Sequence, residues 1–276
     1  MIMANDLQRT REWYLARKGK ITASECYVLL NNSKVAMTDD ELAEWKKTNP
    51  KSRVTTKEVP FSSGTYTYLD EKIAEMYMPE NSFIEYMEEC KFETKAMQWG
   101  TFWEEGARNR YKEVTGFEIL DAPFIALKDF ENFAGGSPDG VIRLGGDSLR
   151  ENNDAQTDGR TNGIIEIKCP FNPSVHMRHF LFEKPDDLKE DNLQYYVQCQ
   201  YNMICVEREF GYKVDFCDFI SYDPRTSKSK QLKVLRIPAE KEMQELLLER
   251  TKLGVDYLRE QINRINNMPS IINEYK

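Results

Sequence analysis

Two short stretches carry acids and a lysine in positions that could serve one reaction centre. The first is GGSPDGVIRL, which holds Asp139, and the second is GIIEIKCPF, in which Glu166 and Lys168 alternate with Ile165 and Ile167. Successive side chains of a strand point to opposite faces, so Ile165 and Ile167 share one side and Glu166 and Lys168 the other. Two adjacent strands would bring Asp139 to the same face. A hard divalent cation takes oxygen ligands, which Asp139, Glu166 and the backbone carbonyl of Ile167 can supply. Such an ion polarises a phosphodiester and lowers the pKa of its bound water, while charge grows on the non-bridging oxygens and on the leaving 3′ oxygen. Lys168 would stand beside that water, either orienting it or helping to deprotonate it, and the second role needs a pKa lowered by burial.

Each stretch also has a plain structural reading. Ser-Pro-Asp-Gly makes a good type I turn, and GIIEIK makes an ordinary half-exposed strand. Taken together and in this order, they match the motif pair of the PD-(D/E)xK nucleases. Four further blocks sharpen the match: WYLARKGKITASE from Trp13 to Glu25, AMQWGTFWEEGA from Ala96 to Ala107, YYVQCQYNM from Tyr195 to Met203, and YDPR from Tyr222 to Arg225. In this ordered set the chain resembles lambda exonuclease and its relatives, the YqaJ-like viral recombinases and alkaline exonucleases.

The resemblance implies an α/β fold with a restriction-endonuclease-like core, a central mixed sheet flanked by helices. It implies a metal-dependent exonuclease that degrades one strand of linear double-stranded DNA, 5′ to 3′, into mononucleotides and leaves a 3′ single strand for recombination. Mg²⁺ is the implied cofactor, with Mn²⁺ as a substitute. Aligning Trp99-Gly100 with the family's Trp-Gly places Glu104, rather than Glu105, on the active-site glutamate, serving a second metal or its water shell. Gln198 falls on the first Gln of the family's Gln-x-Gln element, which faces the catalytic centre. Arg17 and Ser24 fall on positions that hold the terminal 5′-phosphate. Implied partners are double-stranded DNA ends, a single-strand annealing protein and further copies of the chain in a trimeric ring. A phage or prophage origin in a bacterial host is implied as well. Two alternatives stay open: a metal-dependent endonuclease of the same superfamily, and a non-catalytic DNA-end-binding protein.

The 276 residues, 40% hydrophobic and 12% aromatic, suit one large domain with a substantial core. The expected division is 1–95 as an N-terminal helical elaboration, 96–237 as the catalytic core and 238–276 as a C-terminal helix. No apolar run approaches a membrane span and MIMANDLQRTREWY has no signal-like apolar region, so the expected compartment is the cytoplasm. A formal charge of −8 counts against a uniformly DNA-binding surface. The acids, however, gather in tracts such as 85–93 and 186–191, which leaves room for a local basic channel. The six cysteines lack the paired spacing of a structural zinc site and read as buried thiols, and with two histidines in the chain a His-based metal centre is not expected.

Periodicity positions these motifs. Arg17, Lys18 and Lys20 precede Ile21–Ser24, which reads as a helix start; by the residues alone this is either a phosphate site or a solvated basic turn, and the resemblance favours the phosphate site. Helices are expected at 38–47, at 63–78, at 101–115, at 191–206 and from Pro238 to about 267. Thr101 and Glu104 also form a capping-box pattern, which competes with a catalytic reading of Glu104. Strands are expected at 117–127, 133–144, 216–222 and 232–237. The polar stretch 145–163 reads as a mobile loop. The segment 172–182 carries His176, Arg178 and His179, read as DNA-contact or packing residues.

Overall fold

The computed structural model describes residues 10–90, 94–143 and 163–269, so the polar stretch 145–162 lies outside the described residues. The N-terminal third opens with helix α1 (Arg11–Arg17) and strand β1 (Ile21–Thr22). A hairpin of β2 (Ser33–Ala36) and β3 (Thr56–Val59) encloses helix α2 (Asp39–Thr48). Thr38 and Glu41 form a capping box there in both directions. Helices α3 (Ser63–Tyr77) and α4 (Glu80–Glu85) follow, with Ser62 capping α3 and Pro79 separating the two.

Helix α5 (Lys95–Thr115) leads into the strands β4 (Glu118–Leu120), β5 (Ile125–Ala126), β6 (Ala134–Gly136), β7 (Gly140–Arg143) and β8 (Gly163–Lys168). Helices α6 (Pro173–Phe180), α7 (Pro185–Asp191) and α8 (Leu193–Phe210) cross to β9 (Phe216–Tyr222). Strand β10 (Leu232–Pro238) and the long helix α9 (Lys241–Asn266) complete the described chain.

The main sheet has the order β10-β9-β8-β7-β4, with β8 and β9 parallel and the other neighbours antiparallel. A parallel pair needs a crossover, which α6 to α8 provide. β8 is thus the middle strand. Ile164 joins the larger core beneath α8, α9 and α3, while Ile165 and Ile167 join a second core beneath α5. Both faces are therefore covered, and the strand is not half-exposed. Glu166 is 1% exposed on the α8 side, so its sequence alternation places a carboxylate in the interior.

Several boundaries differ from the sequence reading. Ile21–Ser24 does not begin a helix: Ile21 N–H donates to Phe133 O and Ala23 N–H to Gly135 O, joining the segment to β6 as a parallel strand. A short 3₁₀ turn from Cys26 to Leu30 comes only afterwards. Helix α5 starts six residues earlier than expected because Thr94 caps it, and Gly100 lies inside it, close to the Cys169 carbonyl. The stretch 117–127 divides into β4 and β5, which belong to different sheets. Pro238 ends β10 rather than opening α9, whose buried stripe is Met243, Leu247, Thr251, Val255 and Leu258. Leu246, Leu253 and Ile265, which helical spacing of the apolar residues would also allow inward, are exposed. No described helix is long and apolar enough to cross a membrane.

His176 and His179 are both buried and serve packing. The Lys230 carbonyl can only accept, so His176 Nε2 donates to it and Nδ1 accepts from the Ser221 hydroxyl. His179 Nδ1 then donates to Ser221 Oγ, and burial pushes its pKa down to about 4, keeping it neutral. The pair fixes α6 against β9 beside Lys168, whose strand partner is Ser221. The five described cysteines, Cys26, Cys169, Cys199, Cys205 and Cys217, are free and buried.

Candidate active site

Asp139 sits immediately before β7, where its backbone N–H donates to Ile165 O at 3.1 Å. Its Oδ2 accepts the Ile167 N–H at 2.6 Å, which pins the carboxylate against the edge of β8. Arg108 of α5 donates to the Asp139 carbonyl and pairs with Asp121. One strand over, Glu166 Oε1 accepts from Lys168 Nζ at 2.7 Å and Oε2 accepts from Asn202 Nδ2 at 3.0 Å. Lys168 Nζ also donates to Gln198 Oε1 at 3.1 Å and lies 4.7 Å from the Tyr195 ring centroid. The structure thus brings together Asp139, Glu166, Lys168 and Gln198.

Glu104 is half-buried on α5 and Glu105 is exposed. The charge of Glu104 acts on both Glu166 and Cys169, so it faces the cluster across the helix. Thr101 is an interior helix residue whose hydroxyl donates to Met97 O, which removes the capping-box reading.

Electrostatics here favour an added cation. Burial, Asp139 and Glu104 together push the Glu166 pKa up to about 8 against the pull of Lys168. Burial alone would lower Lys168, but Glu166 and Asp139 outweigh it and raise its pKa. Three carboxylates thus face one ammonium, leaving an excess negative charge that takes up a proton when no metal ion is present. An all-oxygen donor set of this kind fits a hard divalent ion. Among the described residues, no three His, Cys, Asp or Glu side chains close into a metal-binding group. The oxygen groups that the structure brings to this centre are the carboxylates of Asp139 and Glu166.

A second centre adjoins the first. Arg17 Nη2 donates to Ser24 Oγ at 3.2 Å, and its guanidinium lies 4.3 Å from the Trp13 ring centroid. Burial pulls its pKa down, opposed by Glu25, yet arginine remains a cation. Both residues line a cavity of about 560 Å³ that Met97 of α5 also lines. Trp13 Nε1 donates to Ser137 Oγ, two residues before Asp139, and so ties the cavity wall to the carboxylate cluster.

Helix α8 spans both centres. Gln194 Nε2 donates to the Ser24 carbonyl, Gln198 accepts from Lys168, and Asn202 donates to Glu166. Residues four apart share a helix face, so this polar stripe is continuous. Asn202 escaped the sequence reading although its spacing from Gln198 was the available signal. Its side chain is admitted by Gly136, where a Cβ would come within 2.4 Å of Asn202 Oδ1.

The mixed sheet bearing Asp139 and the Glu166-x-Lys168 strand shares its fold with solved structures of alkaline exonucleases. The chain belongs to the YqaJ-like viral recombinase domain family, whose model matches residues 12–209. An alkaline exonuclease (LHK-Exo) from Laribacter hongkongensis is similar at 24% identity and a TM-score of 0.61, over 93% of this chain and 96% of that one. The same exonuclease in complex with dAMP matches over the same shares with a TM-score of 0.59. A phage related exonuclease from Haemophilus somnus 129PT matches at 15% identity and a TM-score of 0.50, over 89% of this chain and 96% of that one. No curated protein sequence matches the chain.

Proposed function

We propose that this protein is a metal-dependent exonuclease that digests one strand of linear double-stranded DNA from its 5′ end, releasing mononucleotides. The observation that carries the reading is the α8 stripe, which joins a buried arginine cavity to a carboxylate–lysine cluster. Gln194 and Gln198 are separated by about 6 Å of helix rise. That is the order of the spacing between consecutive phosphates of one strand. In this reading a terminal phosphate sits at Arg17 and Ser24 and the next phosphate at Asp139 and Glu166, which gives single-nucleotide products. The 3′ strand left behind suits a single-strand annealing partner, and a ring of copies around the duplex would keep the enzyme on its track. The described segments act in this reading as one catalytic domain.

Mg²⁺, or Mn²⁺ in its place, would be held by Asp139, Glu166 and the Ile167 carbonyl, and supplies Lewis-acid polarisation of the phosphate together with a water of lowered pKa. In this reading the part of Lys168 is to orient the attacking water and offset charge on the non-bridging oxygens. Gln198 holds Lys168 Nζ from the side opposite Glu166 and fixes that orientation. Asn202 fixes the Glu166 rotamer. Glu104 faces the same centre and suits a second ion or its water shell. Glu104→Gln is expected to lower kcat roughly a hundredfold, the scale for a lost transition-state electrostatic group. Glu105→Gln should leave it near the parent value, and steady-state rates on linear duplex compare the two.

Arg17 tests polarity. The parent protein is expected to digest 5′-phosphorylated duplex faster than 5′-hydroxyl duplex. In Arg17→Ala that preference should shrink about tenfold, since a charge-assisted contact to phosphate is lost. Undiminished preference in the variant would remove the physical support for 5′ to 3′ digestion.

A further inference from the structure

The cavity at Arg17 is lined by three carboxylates as well as two cations: Glu25, Glu75 and the exposed Glu88 share it with Arg17 and Lys72. Lys72 Nζ lies 3.3 Å from Glu25 Oε2 and 3.1 Å from Glu75 Oε1. Glu75 also accepts the Gly19 N–H at 2.9 Å, and Gly19 has a left-handed φ of 68°. With 5% side-chain exposure on each, Lys72 and Glu75 form a buried pair that holds the backbone turn. Glu25 differs from them. Its side chain is 39% exposed, it follows Ser24 directly, and its Oε2 accepts from Thr22 Oγ1 at 3.1 Å. The formal charges of these five residues sum to −1, which is a poor field for a group carrying nearly two negative charges.

We propose that Glu25 sets the strength of the 5′-phosphate grip, keeping it loose enough for a nucleoside 5′-monophosphate to leave after each cleavage. This rests on the reading of Arg17 as the 5′-phosphate contact. Each hydrolysis breaks a bond to a 3′ oxygen, so the departing mononucleotide keeps the phosphate that Arg17 held. The shortened strand carries a new 5′-phosphate that must take the same place. Without Glu25 the Arg17 guanidinium would meet the phosphate with one fewer like charge beside it, Lys72 staying paired with Glu75, and the tighter grip would retain the product and block that advance, making release the slow step. A carboxylate at the cavity surface weakens product and incoming end alike, and the covalently connected duplex restores retention of the latter.

The test is equilibrium binding of dAMP to the intact protein in EDTA, with deoxyadenosine as the probe lacking phosphate. Glu25→Gln keeps the shape and the acceptor for Thr22 while removing the charge. It is expected to bind dAMP about tenfold more tightly, the effect of one like charge a few ångströms away in a partly screened site. Deoxyadenosine affinity should not rise. Glu25→Ala should tighten dAMP similarly, and adding Arg17→Ala to either variant should erase the gain. Unchanged or weaker dAMP binding in Glu25→Gln overturns the proposal, as does tightening in Glu25→Gln without tightening in Glu25→Ala. If Arg17→Ala alone leaves dAMP binding unaltered, the phosphate reading of Arg17 falls and this proposal falls with it. An effect of Arg17→Ala without one of Glu25→Gln defeats this proposal alone.

Discussion

Glu166→Gln is expected to reduce duplex hydrolysis by roughly three orders of magnitude or more, the scale reached when a group acting on transition-state charge is removed. The glutamine keeps one acceptor oxygen for Lys168, and a flip of the Asn202 amide lets its otherwise unpartnered Oδ1 accept from the new Nε2, so the main sheet should stay folded. What disappears is one of the two carboxylates that can hold a divalent ion, and with it the ion's affinity. The change also has a signature in stability. Because the folded-state pKa of Glu166 is raised to about 8, the metal-free protein gains stability at low pH. That gain is complete below the unfolded value of about 4.3 and is lost as pH rises through 8. Melting in EDTA should therefore fall across that window in the parent protein and be flatter in Glu166→Gln. Below pH 8, adding Mg²⁺ to the parent should release a proton. Near-parental turnover in Glu166→Gln would remove this cluster from the chemistry.

Lys168→Met is expected to lose about as much turnover, on the order of a hundredfold to a thousandfold, for a different reason. The methionine fills the stem's volume beside Tyr195 but places no positive charge between Glu166 and Gln198. Removing a cation from the edge of a carboxylate cluster strengthens its field for a metal ion. Mg²⁺ affinity, measured by calorimetry, should therefore be undiminished while kcat collapses, whereas Glu166→Gln should lose both. Lys168→Arg should not restore the rate, because a planar guanidinium cannot occupy the compact position of an ammonium. Loss of Mg²⁺ binding in Lys168→Met would show that the lysine organises the ligands rather than the reacting water.

Strand alternation in GIIEIK was enough to separate Ile165 and Ile167 from Glu166 and Lys168, since that period is a local property of the backbone. The burial of Glu166 was not legible, because it depends on α8 covering β8, a contact between residues 36 apart in sequence. For the same reason the direction of the Lys168 shift could not be read in advance. Desolvation alone would have lowered it, and it is the neighbouring carboxylates that raise it. Ile21–Thr22 misled for a related cause: Thr and Ser suit a helix cap, yet pairing with β6, more than a hundred residues later, wins. Gly100 looked like a helix boundary because glycine is a poor helix former, but Thr94 caps the helix six residues earlier and Gly100 lies inside it. Gln194, Gln198 and Asn202 stand four apart in the sequence, and only their partners were hidden.

The account is tested most directly by supplying the protein with two forms of one DNA, a 5′-phosphorylated linear duplex and the same duplex covalently closed, each with Mg²⁺ and with EDTA. With Mg²⁺ the linear form should be converted to mononucleotides and a single strand carrying the original 3′ end, while the closed form stays intact. In EDTA neither should change. Cutting of the closed duplex at a rate comparable to the linear one, or digestion that persists in EDTA, would contradict a metal-dependent exonuclease that starts from a 5′ end.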